Sequence, residues 1–266
     1  MTRDGDVGPG RVYHWPMAFA QLHWFSGVLG KQTTTWVLLP DAGQPPFDTL
    51  YLLHGLSDDH TIWMRRTRLE TYVAGRPLIV VMPDGGRGFY TNHLDGGTQW
   101  ATHVGVELPT LVERTFPAKA TRDGRHVGGL SMGGYGGLRI ALGYPDRFAS
   151  AHSHSGALLG PRRWADAPMT AEFRAIVGGA ANVAGSDNDL ALLAGRARAA
   201  GQLPRLRIDC GTEDFLLDDN RALHRQLLDA GVDHQYAEFP GSHSWDYWDL
   251  HVREAIDFHL AADNVG

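Results

Sequence analysis

Cysteine is nearly missing from this chain: among 266 residues it occurs once, as Cys210. A lone cysteine excludes an internal disulfide and any metal site built on several thiolates. An excess of positive charge is missing as well. Lysine and arginine total 24 against 30 acidic residues, a formal net charge of −6, and the basic residues are scattered. That leaves no electrostatic footprint for nucleic acid or for an anionic membrane surface. No window approaches the roughly eighteen consecutive apolar residues of a membrane span. The opening stretch MTRDGDVGPGRVYHWPMAF has no basic segment followed by an apolar one, the pattern of a secretory leader. These absences point to a cytoplasmic enzyme or binding protein with small-molecule partners. Self-association into a homo-oligomer stays open, since surface complementarity decides it.

What is present is ordinary in bulk and unusual in pattern. Hydrophobic residues make up 43% and charged residues 20% of the chain, as in a globular domain. Neither an internal repeat nor a low-complexity linker divides it, so a single domain spanning 1–266 is expected. Short apolar runs bounded by Gly or Pro read as buried strands at Thr34–Pro40, Thr49–Gly55, Leu78–Gly85, Arg125–Leu130 and Leu206–Gly211, with His234–Gly241 near an edge. Helical patterns lie between them at Gly105–Phe116, Gly133–Tyr144 and Asn220–Ala230. A last helix repeats Trp248, Val252, Ile256 and Leu260 on one face. Alternating strands and helices predict an α/β fold, a mostly parallel sheet covered on both faces. The segment 157–204 is longer than a simple crossover and reads as a cap, with a helix start in SDND where Ser186 caps and Asp189 follows three residues on.

The pattern tightens around one serine. GLSMG (Gly129–Gly133) matches G-x-S-x-G, the turn that exposes a nucleophilic serine between a strand and a helix. With 33 glycines in the chain the pentapeptide alone is weak, but an apolar strand leads in and a helix leads out. Gly129 and Gly133 leave room at a strained turn, and the helix N-terminus aims amides and a positive dipole end at a developing oxyanion. Gly134, Gly136 and Gly137 would let the helix lie close to the sheet.

A serine needs a base, and the base an orienting acid. In this arrangement the acid and then the histidine follow the serine in the chain. Asp214 lies just past the strand LRIDCG, whereas Asp209 sits inside it and Glu213 should point elsewhere. His243, in PGSHSW, falls in the loop between the last strand and the last helix; His224 and His251 read as helical surface residues, and His259 as near the end of the last helix. The candidate site is therefore Ser131, Asp214 and His243. Met132 supplies one oxyanion amide and Leu56, in LLHGLSDDH, the other, with His54 holding that loop.

Together LYLLHGLSDDHTIW, GLSMGGYGGLRIAL, CGTEDFL and GSHSWDYWD resemble the putative-esterase branch of the α/β-hydrolases, from about Thr34 to Leu260. That branch holds S-formylglutathione hydrolases, tributyrin, acetyl and feruloyl esterases, and mycolyltransferase antigens. The resemblance implies an α/β-hydrolase fold and a serine carboxylesterase using the residues just named, with no cofactor and no metal. The loop His54–Asp58 and the placing of Cys210 depart from the formylglutathione hydrolases; GGRGFYTN fits the tributyrin and acetyl esterase side. Mycolyl transfer is not expected without a leader. The expected substrates are short-chain acyl esters, including acetylated or feruloylated carbohydrates. The alternatives are a thioesterase or acyltransferase with the same three residues and, more distantly, a non-catalytic binding protein.

Two features stand outside this reading. HSHSG (His152–Gly156) would place both imidazoles on one face of a strand, yet no third metal ligand can be nominated. Trp63 and Trp245 are candidate walls of the substrate pocket, with simple packing the alternative for each.

Overall fold

The computed structural model describes residues 17–93, 96–159, 170–178 and 182–261. Eight strands form one sheet in the order β1-β2-β4-β3-β5-β6-β7-β8: β1 (Ala18–Ser26), β2 (Lys31–Leu39), β3 (Asp48–Leu53), β4 (Leu78–Pro83), β5 (Arg125–Leu130), β6 (Ser150–His154), β7 (Arg205–Gly211) and β8 (Gln235–Phe239). From β4 onward neighbours run parallel, while β1 and β2 are antiparallel to their partners. Alternation along β3 and β4 shows why the sheet is covered on both sides. Tyr51, Leu53, Ile79 and Val81 enter one apolar core, and Leu50, Leu52, Leu78, Val80 and Met82 the other, as a two-residue period requires.

Helices fill the faces. α1 (Ile62–Arg66) and α2 (Leu69–Val73) link β3 to β4. α3 (Trp100–Thr102) passes through a π-turn at His103–Glu107 into α4 (Leu108–Thr115). α5 (Met132–Gly143) follows β5, α6 (Thr170–Val177) and α7 (Leu190–Ala199) lie between β6 and β7, α8 (Leu217–Asp229) follows β7, and α9 (Trp245–Leu260) ends the fold. α9 packs Trp248, Val252 and Ile256 into the second core, the stripe the sequence predicted.

Three local expectations change. β1 was not anticipated: it is a hairpin edge whose side chains are mostly exposed or half-buried, so it carries no apolar run. Its turn is tied down by Glu107, which accepts from the Ser26 hydroxyl and from the Val28 amide at 3.1 Å. In the expected cap, 160–169 and 179–181 lie outside the described residues; Phe173, Ile176, Val183 and Leu193 share the first core with the sheet. The helix cap there is Asp189, which accepts from the Leu192 amide at 3.2 Å, while Ser186 donates to the Val183 carbonyl in the preceding turn. Ser186 is one turn too early because the chain bends once more before α7.

His251 is also a correction. It is 4% exposed and lies flat against Phe239 with ring centroids 4.4 Å apart, so it faces the sheet and not solvent.

Candidate active site

The parallel register sets the carboxyl ends of β3, β5, β6, β7 and β8 side by side: Leu53 pairs with Gly129, Leu130 with His154, and Gly211 with Phe239. Ligand sites of open α/β sheets lie beyond such ends. Among the described residues, five that are not glycine have positive φ: Ser57, Phe89, Tyr90, Ser131 and Ser155. All five lie in the loops after β3, β4, β5 and β6. Backbone strain of this kind gathers at functional sites.

Ser131 is the most constrained. It joins β5 to α5 at φ 53° and ψ −115°. Its amide donates to the His154 carbonyl at 2.9 Å, and its carbonyl accepts from Ala157 at 3.0 Å and Tyr135 at 3.1 Å. The flanking glycines are sterically required. A Cβ on Gly133 would lie 2.7 Å from the His54 carbonyl oxygen and collide with that of Leu53; one on Gly137 would lie 2.7 Å from the Cα of Gly128. Absence of side chains thus lets α5 rest on β3 and β5 and brings the turn against the loop after β3.

Beyond β7, the Asp214 carboxylate is fully buried and accepts from the Leu216 amide at 2.8 Å. Beyond β8, His243 presents Nδ1 to Asp214, 2.9 Å from Oδ2 and 3.1 Å from Oδ1, and Nε2 to the Ser131 hydroxyl at 3.1 Å. Burial pushes the Asp214 carboxyl upward. The hydrogen bonds from His243, the Leu216 amide and the Ser155 hydroxyl, with the charge of a protonated His243, outweigh it and hold the group below the usual carboxylate range. An ionised Asp214 orients the imidazole with Nδ1 protonated and leaves Nε2 free to accept the serine proton. Glu213 is exposed, and Asp209 is buried within β7, engaged by His154 at 2.7 Å and the Tyr247 hydroxyl at 3.1 Å.

The loop after β3 abuts the serine: a Cβ on Gly55 would lie 3.7 Å from Cβ of Ser131. His54 braces it. The Gly85 amide donates to Nε2 at 2.8 Å, so that nitrogen carries no proton, and Nδ1–H donates to the Gly55 carbonyl at 2.8 Å. The Tyr90 hydroxyl donates to the His54 carbonyl at 3.1 Å. Among the described residues neither the Leu56 amide nor the Met132 amide, in the first turn of α5, donates to a protein acceptor.

Of the two tryptophans expected at the pocket, Trp63 is 1% exposed and its indole N–H is committed to the Leu53 carbonyl at 3.0 Å. It packs behind Trp245, ring centroids 5.4 Å apart, and only Trp245 is half-exposed. Two neighbours of His243 were not expected at the site from sequence. Trp248 meets the imidazole edge-on at 4.9 Å, and Phe215 lies 4.5 Å from it. Phe215 directly follows Asp214, and that adjacency was the available signal.

The HSHSG pair has a structural account. His152 and His154 share a face of β6, ring centroids 4.7 Å apart, and both are buried. His126 and His259 Nδ1 each lie 2.7 Å from the Ser150 hydroxyl, and His259 Nε2 lies 2.7 Å from His152 Nδ1. Four neutral donor–acceptors in a row supply one proton to each of these three links, in either direction. Burial pulls His126 down to about 3, and His152 and His259 well below their ordinary value. Among the described residues no group of three or more His, Cys, Asp or Glu is placed to hold a metal, and no helix is long and apolar enough to cross a membrane.

Known proteins share this architecture. The family model described as "Putative esterase" matches residues 26–258. An acetyl esterase of Caldicellulosiruptor saccharolyticus is 30% identical, over 91% of this chain and 98% of that protein. Among solved structures, fluorophosphonate-binding serine hydrolase F of Staphylococcus aureus superposes with a TM-score of 0.83 at 33% identity, covering 93% of this chain and all of that one. An S-formylglutathione hydrolase of the same organism gives 0.81 at 33% identity, covering 92% and 99%. The chain belongs to the putative esterase family and is a serine esterase of the α/β-hydrolase fold.

Proposed function

We propose that the protein is a carboxylesterase for short-chain acyl esters, working through Ser131, His243 and Asp214. The observation that carries this reading is the unbroken hydrogen-bond path from Asp214 through His243 to the Ser131 hydroxyl. His243 Nε2 takes the hydroxyl proton as Ser131 Oγ attacks the ester carbonyl. The carbonyl oxygen becomes an oxyanion, held by the Leu56 and Met132 amides and the N-terminal end of α5. The C–O bond to the alcohol breaks as Nε2 returns the proton to the leaving oxygen. Water, deprotonated by the same nitrogen, then attacks the acyl-serine and releases the carboxylic acid.

The test is hydrolysis of p-nitrophenyl esters from acetate to octanoate by the native protein and by Ser131→Ala. The expected result is turnover of acetate or butyrate and a fall in kcat on the order of a million-fold in the variant. Activity that survives Ser131→Ala refutes the assignment of the nucleophile. Activity that rises toward octanoate refutes the short-chain preference.

A second reading is favoured by one comparison. The S. aureus S-formylglutathione hydrolase is as similar in sequence to this chain as the ester-named relative. The same three residues would open a thioester, with a thiolate leaving. Measuring kcat/KM for S-formylglutathione beside p-nitrophenyl acetate decides between them.

A further inference from the structure

Phe215 is a large apolar side chain left 68% exposed. A solitary exposed apolar residue is ordinary, and the other four of its kind among the described residues, Phe19, Phe25, Leu228 and Leu250, lie on β1, α8 and α9. Phe215 differs in being held against the imidazole of His243. The turn that holds it is firmly pinned. The Asp214 amide donates to the Gly211 carbonyl at 3.1 Å, the Leu217 amide to the Asp214 carbonyl at 3.0 Å, and the buried Leu216 anchors the far side. With Asp214 and Leu216 both turned inward, the residue between them is turned out.

The imidazole therefore has two unlike neighbours. Trp248, 5% exposed, closes one side edge-on at an interplanar angle of 89°. Phe215 also lies against it, ring centroids 4.5 Å apart and tilted 49°, with most of its own surface open to solvent. In the esterase step, His243 Nε2 must come within about 3 Å of the leaving oxygen to return its proton. The alcohol part of the substrate thus lies against His243, and of the two aromatic rings touching the imidazole only Phe215 has surface exposed to meet it.

We propose that Phe215 is the specificity-determining residue for the leaving group, a platform that selects esters of aromatic alcohols. This rests on the esterase reading above. An aromatic alcohol would meet the exposed ring in an offset or edge-on contact, whereas an alkyl chain would gain area alone.

The test compares benzyl acetate with n-butyl acetate, which share an acyl group and therefore a deacylation step, in the native protein, Phe215→Ala and Phe215→Tyr. The expected result is a benzyl-to-butyl ratio of kcat/KM that falls roughly three- to tenfold in Phe215→Ala, about the size of one aromatic contact, and is retained in Phe215→Tyr. An equal loss on both esters overturns the proposal and leaves Phe215 as a shield for His243. The same pair is measured as equilibrium binding to Ser131→Ala, with and without Phe215→Ala, so that the test does not depend on turnover. A benzyl preference present in the first and lost in the second supports the platform; no preference in either overturns it. Native protein that turns over neither ester while showing the binding preference counts against the esterase reading alone.

Discussion

The indole N–H of Trp248 donates to the Ser155 hydroxyl at 3.2 Å, joining α9 to the carboxyl end of β6. Ser155 is fully buried, sits at φ 48° and lies beside Asp214, where its hydroxyl helps to hold the carboxyl low. One side chain thus links the wall behind His243 to the carboxylate that orients it. Ser155→Ala leaves the Trp248 donor buried without an acceptor and removes a hydroxyl that favours the ionised Asp214 carboxylate. A stability loss of about 1–3 kcal/mol is expected, with kcat lower by roughly tenfold as Asp214 loses a restraint. Urea denaturation and ester hydrolysis check the two parts, and a variant unchanged in both shows the link to be incidental.

Ser131 carries strain that glycine would release. Its φ of 53° with ψ −115° is a conformation that costs a side-chain-bearing residue about 1–3 kcal/mol. Ser131→Gly and Ser131→Ala both lose the hydroxyl of the proposed nucleophile. Ser131→Gly is expected to be the more stable by about 1 kcal/mol after the greater freedom of its unfolded chain is counted. Denaturation midpoints that place Ser131→Ala above Ser131→Gly would show the turn to be relaxed.

His54 acts through the loop it braces. In His54→Phe the buried Gly85 amide loses its acceptor and the Gly55 carbonyl its donor. The Leu56 amide is then held less firmly. Loss of a whole oxyanion donor lowers kcat about 100- to 1,000-fold, so under the proposed role of Leu56 a displaced amide is expected to cost roughly tenfold or more. KM should change little, because the contact forms only as the oxyanion does. A variant that raises KM with kcat intact would make the loop a substrate-binding element instead.

The histidines beneath the sheet make the fold sensitive to acid. His126, His152 and His259 all have folded-state values below the ordinary one near 6.5. The folded protein keeps them neutral, while the unfolded chain takes up protons below about pH 6.5. Their contribution is complete above that pH and is lost as pH falls toward their folded values, each at up to about 1.4 kcal/mol per pH unit. Urea midpoints between pH 8 and 5 should be level down to about 6.5 and then drop steeply. His259→Asn should flatten the drop, and a midpoint independent of pH down to 5 would contradict the buried, neutral chain.

Much of the architecture was legible because it is written locally. β2 to β5, β7 and β8 announce themselves as apolar runs ended by Gly or Pro, and α9 by one apolar stripe. β1 escaped because an edge strand needs no apolar run. The polar spelling of β6, SAHSH, makes sense only with His259, 107 residues away from His152. His251 and Trp63 were misjudged for a related reason: a helical or loop position does not reveal which neighbour covers it.

The sequence by itself determined which residues could do chemistry here. A serine in a glycine-bound turn, an acid past a strand and a histidine in a late loop are local facts, set by steric rules and chain order. Only the tertiary structure decided that they meet. Ser131 and His243 stand 112 residues apart in the chain and 3.1 Å apart in space, a distance set by parallel register and by glycines that let α5 lie on the sheet. It alone decided the surroundings too: Trp248 and Phe215 against the imidazole, and Ser155 beside Asp214. Local preference specifies elements, but which side chains face each other depends on how all the elements pack at once, and no short stretch of sequence contains that.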